Sequence, residues 1–358
     1  MSYRDNMPKE DKLSVTLPDI YESISYKKYS MAKFEEYSFY SDNRKFLPDE
    51  GIIAFNNSDG RLMALKPDIT LSIVKNAKLA GKERTKLYYN ETVYRMSAES
   101  HDYREIKQIG TEVLGKVDDY TQAELCYLAL RSLEAIDPDF MLSVSHMGLA
   151  VHYVDTLPVT EDVKKALIRN VSSKSTHEIR RILGEGADTL CALADLSGNL
   201  SEVLPALRSL CADDIMMGAA EELSRLVDEL SDSPYIEKMR FDASVINHID
   251  YYNGLIFKGY VKNAPGAVLS GGRYDLLADR IRSGAQAVGF AVYLDGLNLY
   301  YPTPSEYDTD VLIIAEDTKG LLPIVRSLAD EGKSVRVQSA PESVRAKTVY
   351  RYEGGKLC

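Results

Sequence analysis

The sequence has no cysteines at metal-ligand spacing, no membrane-length apolar run and no excess of positive charge. Its four cysteines (Cys126, Cys191, Cys211, Cys358) are scattered without a Cys-x-x-Cys or Cys/His cluster, which argues against a zinc module or disulfide frame and for reduced thiols. No stretch approaches the roughly 20 apolar residues needed to cross a bilayer, so no membrane role is expected. The N-terminal MSYRDNMPKEDKL carries neither the basic nor the apolar region of a secretory leader, so a cytoplasmic protein is expected. Lysine and arginine number 43 against 54 acidic residues, a net charge of −11. A surface that tracks a nucleic-acid backbone needs a basic stripe, so the global balance counts against such a partner. Neither the P-loop nor the dinucleotide fingerprint occurs. The five histidines show no metal-ligand spacing and no partnering nucleophile motif, so no metal, cofactor or catalytic residue is expected.

What is present is an ordinary globular composition, 45% hydrophobic and 27% charged. The run 52-IIAFNNSDGRLMAL-65 predicts a hairpin, and 68-DITLSIVKNAKLA-80 a helix with an acid at its start and a stop at Gly81. Alternation predicts strands over 86–96 and 104–115, with SAESHDY as the loop between them. Helical spacing follows over 119–136, then a strand over 140–146. From about 158 to 235 the runs 160–171, 174–185, 201–210 and 219–230 repeat apolar residues at three- and four-residue intervals, which predicts an inserted helical subdomain. Strand character resumes over 240–261, where Asn253-Gly254 suggests a second hairpin, and 285–300 is read as a helix. Residues 302–310 have linker composition, and 311–338 reads as strand, helix, strand. Hairpins interrupted by blocks of helix indicate an α+β fold with an antiparallel sheet.

Several polar residues fall inside the predicted strands. Gln108 and Glu112 are four apart in an extended run and share one face. That face is either a solvated sheet surface or the floor of a pocket for a ligand with an amine and a ring nitrogen. Gly271-Gly272 marks a tight turn or a close backbone approach. The residues by themselves suggest a polar cleft with no nucleophile.

The segments 65-LKPDIT-70, 93-VYRMSAESHDYREIKQIGTEVLG-115, 249-IDYYNG-254, 271-GGRYD-275 and 287-AVGFAVYLDGL-297 together resemble the histidyl-tRNA synthetase family over about residues 10–305. That resemblance implies a class II synthetase-like fold: a domain over 1–305 with a helical insertion at about 158–235, and a small α/β segment over 306–358 similar to a shortened anticodon-binding domain. It also implies a histidine pocket. Asp68, one methylene shorter than the usual Glu, would hold the amino group with Thr70 and Gln108 beside it. Glu112 and Tyr252 would hold the imidazole, with Tyr274 as a further pocket residue. Tyr251 and the motif 2 arginine, Arg95, complete the set. An ammonium suits a carboxylate and neutral acceptors, and an imidazole can pair with an acid and a phenol.

The same resemblance shows what has departed. Asn247 stands where the family's specific arginine would be, Gly296 replaces the motif 3 arginine, and Ser97 replaces an acid after motif 2. Activation needs cations where charge develops, and one such donor is worth about 2.7–4 kcal/mol. Ala32 lies near the missing motif 1 proline, which weakens the expected homodimer contact. A synthetase-like body without activation chemistry is similar to the regulatory-subunit family of ATP phosphoribosyltransferase, as are 144-VSHMGL-149 and the Leu-rich run 189–210. This implies a non-catalytic chain that binds free histidine and relays feedback inhibition in histidine biosynthesis. It implies a hetero-octamer with the short-form catalytic subunit and no tRNA partner. A divergent histidyl-tRNA synthetase or a stand-alone histidine-binding paralogue is the alternative.

Overall fold

The computed structural model describes residues 7–47, 51–77, 83–97, 100–246, 252–302, 307–340 and 343–358. The chain forms two compact units: one spans residues 14–295, the other 296–358 with the N-terminal segment up to Leu13.

The larger unit is built on a nine-stranded sheet. In spatial order its strands are Lys27–Lys28, Arg84–Met96, Tyr103–Gly115, Gln286–Tyr293, Leu269–Arg273, Leu255–Val261, Phe140–His146, Met239–Asp242 and Ser197–Asn199. The central pairs are antiparallel, and parallel pairs occur towards the two edges. The longest pair runs from Arg84↔Gly115 to Met96↔Tyr103, as the alternation over 86–115 predicts. The α+β reading and its antiparallel core hold.

Each face of the sheet is covered differently. Helix Asp119–Ile136 starts at an N-cap, where the Asp118 carboxylate accepts the Thr121 amide at 3.0 Å. It buries Leu125, Leu128 and Leu133. A Cβ on Gly259 of the facing strand would meet Leu133 Cδ2 at 2.7 Å, so glycine there lets the helix approach. On the other face, helices Ile69–Asn76 and Asp275–Ile281 pack with Tyr40, Phe46, Tyr89 and Leu114 into one buried cluster. The predicted helical segment holds helices Glu161–Ser172, Thr176–Leu183, Asp188–Asp195, Leu200–Leu210 and Asp214–Glu229, but also strand Ser197–Asn199, which joins the edge of the sheet.

Two expectations are corrected. Residues 285–300 are not one helix: Gln286–Tyr293 is a central strand between Tyr103–Gly115 and Leu269–Arg273, and only Leu297–Tyr300 is helical. Its alternation of small residues on one face (Ala287, Gly289, Ala291) with Val288, Phe290 and Val292 on the other is strand-like, and the run of alanines hides it. Nor does Asn253-Gly254 turn a hairpin. Strands Met239–Asp242 and Leu255–Val261 both pair with Phe140–His146, which lies between them. Asn253 instead accepts the Asp275 amide on its Oδ1 at 2.7 Å. The hairpin over 52–65 is present, with the Asn57 carboxamide oxygen accepting the Asp59 and Arg61 amides. The stop at Gly81 lies outside the described residues. The opening segment contains a helix, Lys9–Ser23.

In the smaller unit, strands Val335–Gln338, Thr309–Ile314 and Ala346–Glu353 form a parallel sheet extended antiparallel by Lys356–Leu357. Helix Leu322–Asp330 packs Ile324, Val325 and Leu328 against Val311 and Ile313.

In the larger unit the ion pair Lys66–Glu91 joins a fully buried lysine to a half-buried glutamate. Lys66 is fully excluded from solvent, and its Nζ donates to Glu91 Oε2 at 2.8 Å. Removing one partner of a buried pair leaves an uncompensated charge, at a cost of about 3–5 kcal/mol. Glu91→Ala should lower the unfolding free energy in urea by about that amount, whereas the Lys66→Met/Glu91→Leu double variant should regain most of it.

Candidate functional site

A cavity of about 210 Å³ opens on the sheet face that carries helices Ile69–Asn76 and Asp275–Ile281. Glycines on two adjacent strands open part of its floor. Gly289 is the register partner of Glu112, and Gly272 is the register partner of Gly289. A Cβ on Gly289 would sit 1.6 Å from Glu112 Oε2, and one on Gly272 would sit 2.8 Å from the Tyr252 ring. The Gly271-Gly272 pair is thus a close backbone approach inside a strand and not a turn. The volume lies below the about 300–1,000 Å³ of drug-sized sites, which fits a smaller ligand.

Glu112 anchors the site and is only 2% exposed. Thr70 Oγ1 donates to its Oε1 at 2.6 Å, and the Tyr274 hydroxyl donates to its Oε2. Both donors are delivered by helix starts. Asp68 caps helix Ile69–Asn76 by accepting the Leu71 amide on Oδ1 at 2.8 Å, which presents Thr70. Tyr274 precedes helix Asp275–Ile281. Asp275 fixes the turn, accepting the Ala287 amide at 3.0 Å and the Arg273 Nε at 2.7 Å. The residues of 271-GGRYD-275 therefore divide the work: glycines clear the floor, the Arg-Asp pair shapes the turn, and the tyrosine reaches Glu112. Helix Ile69–Asn76 is held from behind by the buried Glu35, whose carboxylate accepts Ser72 Oγ at 2.6 Å, Lys75 Nζ at 2.9 Å and Asn76 Nδ2 at 3.0 Å.

Asp68, Thr70, Arg95, Gln108, Glu112, Tyr252 and Tyr274 all line this one cavity. Tyr251 lies outside the described residues, as does Asn247. Gln108 and Glu112 are buried, so the solvated-face reading of their shared side fails. Arg95 donates from Nε to the Pro67 carbonyl at 2.8 Å, next to Asp68. The sequence reading missed Tyr89, Phe46, Ser270 and Tyr293, which also line the cavity. Tyr293 was hidden by the helix assignment; in strand register it lies opposite Gln108, and its hydroxyl meets Ser270 Oγ at 2.7 Å. Tyr89 could have been found from the two-residue spacing that places it on the face of Leu87 and Val93.

The cavity is a largely desolvated chamber in which two acids, Asp68 and Glu112, face two bases, Arg95 and Lys258, the last also missed by the sequence reading. Burial pushes the Glu112 carboxyl up to about 8, opposed by the Thr70 and Tyr274 hydrogen bonds and helped by the nearby Asp68 charge. Burial also raises Asp68, against the Leu71 amide and Arg95, which favour its charged form. The Tyr252 phenol is driven well above its ordinary value, chiefly by burial, and stays neutral. The arrangement offers a carboxyl, a phenol and a carboxamide to a nitrogenous ring, and a second carboxylate to an amine. Among the described residues, no group of three or more potential metal ligands occurs.

The comparisons with known proteins agree with this geometry. A family model described as histidyl-tRNA synthetase matches residues 5–297, and the chain belongs to that family. Within it, similar proteins carry a more particular name. A protein of Oceanobacillus iheyensis named ATP phosphoribosyltransferase regulatory subunit is 24% identical, covering 97% of this chain and 88% of its own length. One of the same name from Caldanaerobacter subterraneus subsp. tengcongensis is 29% identical over 83% of this chain and 80% of its own. A histidine–tRNA ligase of Methanococcus maripaludis is 25% identical over 93% and 85%. Among solved structures, an ATP phosphoribosyltransferase regulatory subunit/histidyl-tRNA synthetase from Bacillus halodurans superposes with a TM-score of 0.80 at 20% identity, over 96% of this chain and 93% of that one. A chain of an ATP phosphoribosyl transferase complex from Thermotoga maritima gives 0.63 at 16% identity, over 79% and 97%. At these identities the superpositions speak for the fold.

Two outcomes test the site. Folded Glu112 keeps its proton up to about pH 8, whereas an unfolded glutamate loses it near 4.5. Across that window the native chain binds more protons than the unfolded one, so rising pH destabilises it. Wild type should therefore lose stability relative to Glu112→Gln between those limits, measured by urea unfolding at several pH values; parallel curves would refute the assignment. Gly289→Ala should force its Cβ against the Glu112 carboxylate and the Thr111 carbonyl, lowering the urea midpoint well below that of wild type.

Proposed function

We propose that the chain is the regulatory subunit of an ATP phosphoribosyltransferase, a non-catalytic partner of the short-form catalytic subunit in the first step of histidine biosynthesis. It binds free histidine and relays feedback inhibition to the catalytic chain. The carrying observation is the glycine-floored cavity in which Glu112, Tyr252 and Gln108 converge with Asp68. In this reading the imidazole pairs with Glu112 and Tyr252, with Tyr274 behind the carboxyl. The ammonium lies on Asp68 with Gln108 and a lone pair of Thr70, whose proton is already given to Glu112. Arg95 supplies the charge for the ligand carboxylate, and Tyr251 belongs to the same wall.

The absence of synthetase activity is part of this proposal. Gly296, at the position of the motif 3 arginine, has φ of +79°, a left-handed conformation that suits glycine. With Asn247 at the other arginine position, the triphosphate would lack two of the cations that stabilise its transition state, and Ser97 removes an acid besides. The names of the two regulatory-subunit relatives support the reading. The domain division at about residue 305, the insertion at about 158–235 and a shortened anticodon-binding-like segment over 306–358 belong to it. So do a homodimer, a hetero-octamer with the catalytic chain, a cytoplasmic location and no tRNA partner. No helix among the described residues is long and apolar enough to cross a membrane.

A divergent histidyl-tRNA synthetase is the second reading, favoured by Arg95 in the cavity and by the archaeal ligase among the relatives. Calorimetric titration of histidine should give saturable binding, weakened about tenfold by Gln108→Ala and by Tyr252→Phe, the loss of one hydrogen bond to a desolvated ligand group. Histidine-dependent ATP–pyrophosphate exchange should be absent, and adding the chain to a short-form catalytic subunit should restore its activity and make it histidine-sensitive. Robust exchange would instead establish the synthetase reading.

A further inference from the structure

A second, larger cavity shares Phe46 and Tyr252 with the first and, unlike its charge-balanced lining, is predominantly basic. It encloses about 960 Å³ and is bordered by helix Glu161–Ser172 and by the segments carrying Lys45 and Arg280. Five lysines and arginines line it (Lys45, Lys164, Lys165, Arg169, Arg280) against two carboxylates, Asp155 and Glu161. The chain as a whole has the reverse balance, 43 basic to 54 acidic residues. One of the two carboxylates is engaged locally, with Glu161 Oε1 at 3.2 Å from Lys164 Nζ. Lys45 and Arg280 both lie over the ring of Phe46, at 4.7 and 5.9 Å from its centroid. His152, also on the lining, is paired with Asp213 at 2.9 Å. A cleft lined by one sign of charge with low-dielectric walls focuses the field and concentrates counter-ions of the other sign.

We propose that this cleft is a second ligand site, for a small molecule bearing several phosphate groups. Cations from helix Glu161–Ser172 and from the Lys45 and Arg280 segments would share one polyanion, which a single carboxylate ligand is too short and too weakly charged to satisfy. Its volume falls at the upper end of small-molecule sites. Phe46 and Tyr252 line both this cleft and the smaller cavity. An anion that draws the cations over Phe46 therefore acts on a wall of the first pocket, and the two ligands are coupled reciprocally. That coupling rests on the histidine reading; direct binding to the cleft does not.

The test uses the full chain and inorganic tripolyphosphate as the probe, titrated by calorimetry without histidine. Saturable binding is expected, weakening as salt is raised. Lys165→Gln/Arg169→Gln and Lys45→Gln/Arg280→Gln should each weaken it about tenfold, and Asp155→Asn should tighten it. All five are surface changes, and unchanged melting temperatures exclude unfolding as the cause. A nucleoside triphosphate should bind at the same site and compete with tripolyphosphate. Histidine affinity should shift about fivefold or more when tripolyphosphate saturates the cleft. Absence of tripolyphosphate binding, equal affinity in all variants, or binding only to a single-stranded RNA would overturn the proposal. Failure of histidine to bind, with tripolyphosphate binding intact, would instead count against the first pocket alone.

Discussion

The carboxyl of Glu112 cannot be buried alone, and much of the larger unit is arranged around that constraint. An unpartnered carboxylate in a low-dielectric interior is strongly penalised, so the group either finds donors or keeps its proton. Here it does both: two hydroxyls reach it from two helix starts, and its proton is held to about pH 8. Those hydroxyls fix where helices Ile69–Asn76 and Asp275–Ile281 begin relative to the sheet. The strand beside Glu112 must then be glycine at 289, because no Cβ fits. One side chain thereby dictates two helix positions and the emptiness of the floor.

The consequence for chemistry is a separation of tasks. Recognition groups are interior, mutually hydrogen-bonded and delivered by regular elements, which keeps them rigid. The cations that nucleotide activation would require are side chains whose removal disturbs no buried network, as the left-handed glycine at position 296 illustrates. The cleft beside helix Glu161–Ser172 gathers five basic side chains, while the smaller cavity sets Asp68 and Glu112 against Arg95 and Lys258; Phe46 and Tyr252 line both.

How much of this was legible in the sequence depended on whether the signal was local. The strands over 86–96 and 104–115 could be read because alternation survives in a sheet with two unlike faces. Gln108 and Glu112 were placed on one face by spacing alone, yet spacing could not say whether that face was wet. Burial was decided by helices Ile69–Asn76 and Asp275–Ile281, which lie far away in sequence. The misread strand 286–293 is instructive: its small residues look helix-compatible, but they are small because Glu112 and the neighbouring backbones occupy the space. The false hairpin at Asn253-Gly254 failed for a related reason, since the strand that separates its two arms comes from residues 140–146. The pocket composition came from family resemblance, residue by residue, and among the residues it omitted were those contributed through glycine floors and aromatic walls. The basic cleft left no mark in the global charge.

Helix Ile69–Asn76 joins these observations from a further direction. Its first turn faces the cavity through Asp68 and Thr70, while its later residues Ser72, Lys75 and Asn76 converge on one carboxylate, Glu35, in the small sheet of Phe34–Glu36, Leu62–Leu65 and Ala54–Asn56. That sheet shows the outside world an apolar face in which Phe34 and Phe55 stack edge to face at 5.4 Å. The helix is thus held at its first turn by the Asp68 cap and along its later turn by Glu35, so one short rod ties the cavity wall to the outer sheet.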